Sequence, residues 1–203
     1  MPVPSLRVCC TVLLFLSVAI PGIAQAQGVI SLPLNQAGSW EFGVWTGEAG
    51  GEVKTTSGPA LITMTGFHVG RVLAGPREGG RGTLEYTVNV MPLMLTIKPK
   101  TVYGGGFSPF GLKWNFAGST RLQPYVELTG GGVITTQDVP LGKSSSFNFT
   151  ASFGPGVVLY RSPRRAVSLA LCYWHLSNAG TGHLNPTFNT VQFTLGYHWL
   201  KPR

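Results

Sequence analysis

The feature that most constrains this chain is an alternation of large apolar residues with polar or small ones, recurring in segments of about ten residues. Successive side chains of a strand point to opposite faces, so such a segment folds as a strand with one oily face. In the clearest case Phe147, Phe149, Ala151, Phe153, Val157 and Leu159 share one face, with Asn148, Thr150, Ser152, Gly154 and Gly156 opposite. The pattern returns in Leu84, Tyr86, Val88, Val90 and Met94 against Thr83, Glu85, Thr87 and Asn89, and in Phe110, Leu112, Trp114 and Phe116 against Lys113 and Asn115. Further strands fit residues 39 to 46, 60 to 73, 121 to 133, 165 to 177 and 189 to 200, which makes eight.

Eight antiparallel strands close into a barrel, and the remaining question is which face meets the solvent. A soluble lipocalin-like barrel turns its apolar face inward around a cavity. Here the smaller, more polar set suits the interior of a narrow barrel: Glu41, Glu85, Lys113, Asn115 and Glu127 would point inward and pair, while the large aromatics would meet lipid. The expected fold is therefore all-β, an eight-stranded antiparallel transmembrane β-barrel. Closure is required because an open strand edge in hydrocarbon leaves backbone groups unsatisfied at several kcal/mol each.

The N-terminus fits export. Arg7 supplies a positive charge, Val8 to Ile23 an apolar stretch broken by Pro21 and Gly22, and Ala24-Gln25-Ala26 a small-x-small cleavage site. Residues 1–26 are expected to be a cleaved signal peptide, and residues 27–203 one domain, the barrel. Cys9 and Cys10 would leave with the signal, so Cys172 would have no partner for an intrachain disulfide. The net charge of +8 falls by one with Arg7. That excess points to anionic lipid headgroups rather than nucleic acid, which an exported chain seldom meets. Arg161, Arg164 and Arg165 read as a solvated turn.

Outer-membrane barrels have short periplasmic turns and longer external loops. Segments 47 to 59, 98 to 108, 134 to 145 and 178 to 188 read as the long connections, and 118 to 120 and 161 to 165 as short ones. With a periplasmic N-terminus, the seventh strand would end near residue 177 at the outer leaflet. On that strand Val167, Leu169, Leu171, Tyr173, His175 and Ser177 share a face, so an imidazole and a hydroxyl two residues apart project from the same side. The His can then serve the Ser as general base. Asn178, at the strand end, could offer an oxyanion a donor. On the returning strand Asn189, Val191, Phe193, Leu195, Tyr197 and Trp199 share a face, which sets Asn189 beside the pair. By spacing alone, His-x-Ser, a very common tripeptide, fits polar residues in an aromatic interfacial girdle better than a catalytic pair.

Other motifs carry less. His175 and His183 lack a third ligand at useful spacing, so no metal is expected. Gly104-Gly105-Gly106 and Gly130-Gly131-Gly132 have no Lys-Ser/Thr and no helix after them, which excludes a phosphate loop. They suit tight curvature instead.

The segment His175-Leu176-Ser177-Asn178-Ala179-Gly180 resembles the His-x-Ser-Asn-Ala-Gly signature of the outer-membrane lipid A 3-O-deacylase family, also described as acyloxyacyl hydrolases. The likeness is strongest over residues 166 to 200, and Pro124 to Gly132 is similar to the family's central strand. The resemblance implies an outer-membrane serine esterase with a lipid-facing triad that needs no cofactor and removes an ester-linked acyl chain from lipid A of lipopolysaccharide. Carried over, Ser177 is the nucleophile, His175 the base and Asn178 the oxyanion donor. The family's triad has a Glu on the last strand, where this chain carries Asn189, and no acidic residue follows Asp138. An Asn can orient an imidazole but cannot neutralise an imidazolium. Asp138 could substitute if its loop folds over. A non-catalytic barrel of the same fold, structural or adhesive, is the rival reading, a narrow pore is a weaker one, and a homodimer stays open.

Overall fold

The structure is a computed structural model that describes residues 32–52, 59–75, 82–98, 100–118, 121–139, 144–182, 184–185 and 187–203. The expected signal peptide lies outside the described residues, as does His183. Eight strands run in order: β1 (Trp40–Glu52), β2 (Pro59–Ala74), β3 (Gly82–Lys98), β4 (Val102–Phe116), β5 (Leu122–Thr135), β6 (Phe147–Ser162), β7 (Arg165–Ser177) and β8 (Phe188–Lys201). Each pairs antiparallel with the next, and β8 returns to β1 from Trp40↔Lys201 to Gly50↔Val191, closing the barrel. Closure leaves no strand edge unpaired, the condition for a sheet in hydrocarbon.

The two faces divide as the alternation requires. Phe67, Phe110, Leu112, Leu128, Phe153, Leu171 and Phe193 are exposed on the outside, while Glu41, Glu85, Lys113 and Asn115 are buried within. An oily exterior around a polar interior suits lipid as solvent and is the reverse of a lipocalin. Inside, Lys113 Nζ lies 2.6 Å from Glu41 Oε2 and 3.2 Å from Glu85 Oε2. Asn115 Nδ2 donates to Glu85 Oε2 at 2.9 Å, and Thr87 Oγ1 donates to Glu127 Oε1 at 2.6 Å.

Apolar clusters flank this charged middle. Met64, Met94, Val133, Trp174, Leu176 and Phe188 fill the end where β7 finishes. Leu32, Leu34, Val72, Val158, Tyr160 and Leu200 fill the other, where the short helix Pro33–Asn35 is held by a 2.6 Å bond from Thr83 Oγ1 to the Leu34 carbonyl. A lumen filled in this way argues against a pore.

Two expectations need correction. The long loops expected at 47 to 59 and 98 to 108 shrink to residues 53–58 and 99–101, because β1 continues to Glu52 and β4 begins at Val102. Glycine hides these strand ends: Gly47, Gly50 and Gly51 in β1 pair with β2, and Gly104 to Gly106 in β4 pair with β5, but none carries a side chain to show an apolar period. The close approach is real at Gly131, where a Cβ would collide with the Phe107 carbonyl oxygen. The second correction concerns Met94, expected on the oily face but buried in the lumen. The β3–β4 register shifts between Met91 and Met94, and this β-bulge reverses the parity of the rest of β3.

Candidate active site

The longest connections, residues 136–146 and 178–187, lie at the end where β7 finishes. There the last turn of alternation leaves Tyr173, His175 and Ser177 on the outer face, with Trp174 and Leu176 packed in the apolar cluster beneath. That packing anchors the backbone, so the outward side chains are held by a rigid strand rather than a loop. β8 pairs with β7 through His175↔Asn189 and Tyr173↔Val191, which sets Asn189 directly beside the imidazole.

The resulting chain of contacts is short. His175 Nε2 lies 3.0 Å from Ser177 Oγ, and His175 Nδ1 lies 2.6 Å from Asn189 Oδ1. Tyr173 donates its hydroxyl to the same Asn189 oxygen at 2.7 Å. An amide oxygen only accepts, so it fixes the proton on Nδ1 and leaves Nε2 with a lone pair for the Ser177 hydroxyl. This is the tautomer a general base requires. Ser177 itself is 7% exposed, sheltered from water at the strand end. Opposite the pair on β6, Phe149 faces Ser177 and Ala151 faces His175. The small Ala151 sits beside the imidazole between the exposed Phe149 and Phe153.

Asn178 stands elsewhere. It is fully buried: its Nδ2 donates to the Leu184 carbonyl at 2.7 Å, its backbone N–H to Asn185 Oδ1 at 3.2 Å, and its Oδ1 accepts from the Gly180 N–H at 2.9 Å. Its side chain organises the β7–β8 loop and does not touch Ser177. The next residue, Ala179, has φ of 53° and turns the chain sharply away from the strand. Asp138 makes no bond to His175 among the described residues; Asn189 occupies that nitrogen. Sequence reasoning misses Tyr173, although it shares the parity of His175; nothing in the chain alone shows that its hydroxyl reaches the neighbouring strand.

His68 and His198, both buried in the lumen, escape the sequence reading as well. With Glu41 they form a set whose ligand atoms lie within 4.8 Å of one another. Lys113 Nζ, 2.6 Å from Glu41, already supplies the positive charge there, so the set fits an ion-pair network better than a metal site.

Known proteins share this architecture. The model of the family described as Lipid A 3-O-deacylase (PagL) matches residues 39–198. Comparison with curated proteins finds no match. Among solved structures, the "outer membrane enzyme PagL" is similar with a TM-score of 0.54 at 16% identity, covering 80% of this chain and 99% of that one. That likeness bears on the fold. Neisserial surface protein A is similar with a TM-score of 0.49 at 15% identity, covering 82% and 99%, too distant to argue from.

Proposed function

Since the chain belongs to the lipid A 3-O-deacylase family, and is thus an outer-membrane β-barrel of a Gram-negative bacterium, we propose that it is itself an active serine esterase that removes the ester-linked acyl chain at the 3 position of lipid A. The observation that carries this reading is the placement of one imidazole between Ser177 Oγ and Asn189 Oδ1, with the proton fixed on the far nitrogen.

The end of the barrel bearing the longer loops faces outward, as in other barrels of this kind. Ser177 then lies at the outer leaflet, where lipid A resides. His175 takes the Ser177 proton as Oγ attacks the ester carbonyl, and returns it to the leaving alcohol; water, activated by the same imidazole, releases the fatty acid. The small side chain of Ala151, between Phe149 and Phe153, leaves the acyl chain room beside the imidazole. The substrate never leaves the membrane, which is why an outward-facing site is workable. With Asn178 buried, the oxyanion is held by the backbone at the head of the loop, where the Ala179 N–H has no partner among the described residues.

One observation favours a second reading. Asn189 carries no charge to stabilise the imidazolium, as a decayed, non-catalytic barrel would show. Mass spectrometry of lipid A from cells expressing the wild type, Ser177→Ala or His175→Ala separates the two. Loss of one 3-hydroxyacyl mass with the wild type alone supports the esterase. Unchanged lipid A around folded, membrane-inserted wild type refutes it.

A further inference from the structure

We propose that the lumen holds a second nucleophilic serine centre, Ser168 with His198 and Glu41, that takes a small uncharged acyl or sulfonyl group. Ser168 is on β7 and His198 on β8, both of the parity that faces inward, so this centre shares two strands with Ser177 but opens to the other side of the wall. Ser168 Oγ lies 2.7 Å from His198 Nε2. The other ring nitrogen, Nδ1, lies 2.7 Å from Glu41 Oε1, off the axis of a well-aligned hydrogen bond. Glu41's second oxygen is held at 2.6 Å by Lys113. Nucleophile, base and orienting acid therefore stand in sequence, and here the acid is a carboxylate.

The backbone makes room for this arrangement. A Cβ on Gly196 would fall 2.5 Å from both Ser168 Oγ and His198 Nε2, and one on Gly43 would fall 2.6 Å from His198 Nδ1. The centre also has space in front of it. Ser168, His198 and Lys113 line a cavity of about 110 Å³, smaller than the roughly 150 Å³ that admits benzene. Only a small acyl or sulfonyl group fits. The lining extends to Phe107, which is 52% exposed on the outer face, where the β4–β5 register shifts between Phe107 and Phe110.

With methanesulfonyl fluoride, Ser168 Oγ bonds to sulfur, the sulfur–fluorine bond breaks, fluoride departs and the hydroxyl proton passes to His198 Nε2 and then to solvent. With a small ester, the carbonyl carbon bonds to Oγ, His198 returns the proton to the departing alkoxide, and water frees the acid.

A merely structural network would leave Ser168 no more reactive than Ser152, which lines the same cavity but hydrogen-bonds Thr129 at 2.7 Å rather than a histidine. The test treats the full-length barrel, folded in detergent and carrying Ser177→Ala, with methanesulfonyl fluoride, followed by intact-mass and fragment-ion spectrometry. One adduct on Ser168 is expected, forming on the order of 100-fold more slowly when His198→Gln is added. No adduct on the folded barrel, adducts on Ser168 and Ser152 at equal rates, or undiminished labelling of folded His198→Gln protein would each overturn the proposal. Should His198→Gln fail to fold, the comparison of Ser168 with Ser152 within one sample still decides. Because Ser177 is absent throughout, failure here leaves the lipid A reading untouched.

Discussion

Strands β7 and β8 carry a serine–histidine pair on each side of the barrel wall, and the two differ in what stands behind the imidazole. Facing lipid, His175 meets the neutral Asn189, whose oxygen also receives the Tyr173 hydroxyl. Facing the lumen, His198 meets Glu41, a carboxylate whose charge is balanced by Lys113 and shared with His68. A buried charge is tolerated only when paired and hydrogen-bonded. The lumen provides that pairing through side chains from four strands, whereas the described residues place no lysine or arginine against Asn189. A carboxylate at position 189 would be a stronger partner for an imidazolium but would face lipid without a cation, and the neutral amide avoids that cost.

The comparison can be broken or sharpened by substitution. The largest effect is expected from Ser177→Ala, which should lower lipid A deacylation by about 10³-fold or more, as loss of a nucleophile does elsewhere; lipid A mass spectrometry reads it. If Ser168→Ala rather than Ser177→Ala abolished deacylation, the two faces would have been assigned the wrong way round. Next comes Glu41→Gln, which leaves Lys113 short of a counter-charge in the lumen and should cost about 3–5 kcal/mol of barrel stability. Denaturant unfolding in detergent measures this, and a midpoint equal to wild type would mean that Glu85 alone suffices for Lys113.

Asn189→Ala should slow deacylation about tenfold, the worth of one hydrogen bond that fixes the imidazole tautomer. Asn189→Glu should at least preserve the rate and raise it if charge is what the site lacks. A rate below that of Asn189→Ala would show instead that the lipid-facing wall rejects the carboxylate. The smallest effect belongs to Tyr173→Phe, which removes a second donor to the Asn189 oxygen while leaving His175 bonded; the expected loss is about threefold, or roughly 0.6 kcal/mol.

Much of the fold and of the site is legible in the chain. The eight alternating segments, the inward row containing Glu41, Glu85, Lys113 and Asn115, and the span of β7 from Arg165 to Ser177 rest on residues two apart, a strictly local relation. The same parity puts His175 and Ser177 on one side, and the His-x-Ser-Asn-Ala-Gly segment points to the family. The misleading signals are equally local. Runs of glycine show no period, so the alternation alone starts β4 too late, and the bulge after Met91 lets Met94 slip to the inner face.

The amino-acid sequence by itself thus determined that the wall is oily outside and polar within, because strand parity is encoded residue by residue. Tertiary structure alone decided which inward charges meet, that the Asn189 oxygen bonds His175 Nδ1, that Tyr173 shares that oxygen, and that Asn178 is spent on its own loop. Those facts depend on the register between strands and on barrel closure, which sum contributions from residues far apart in the chain. Ser168 and His198, 30 positions apart in sequence with hydroxyl and ring nitrogen 2.7 Å from each other, are the clearest instance.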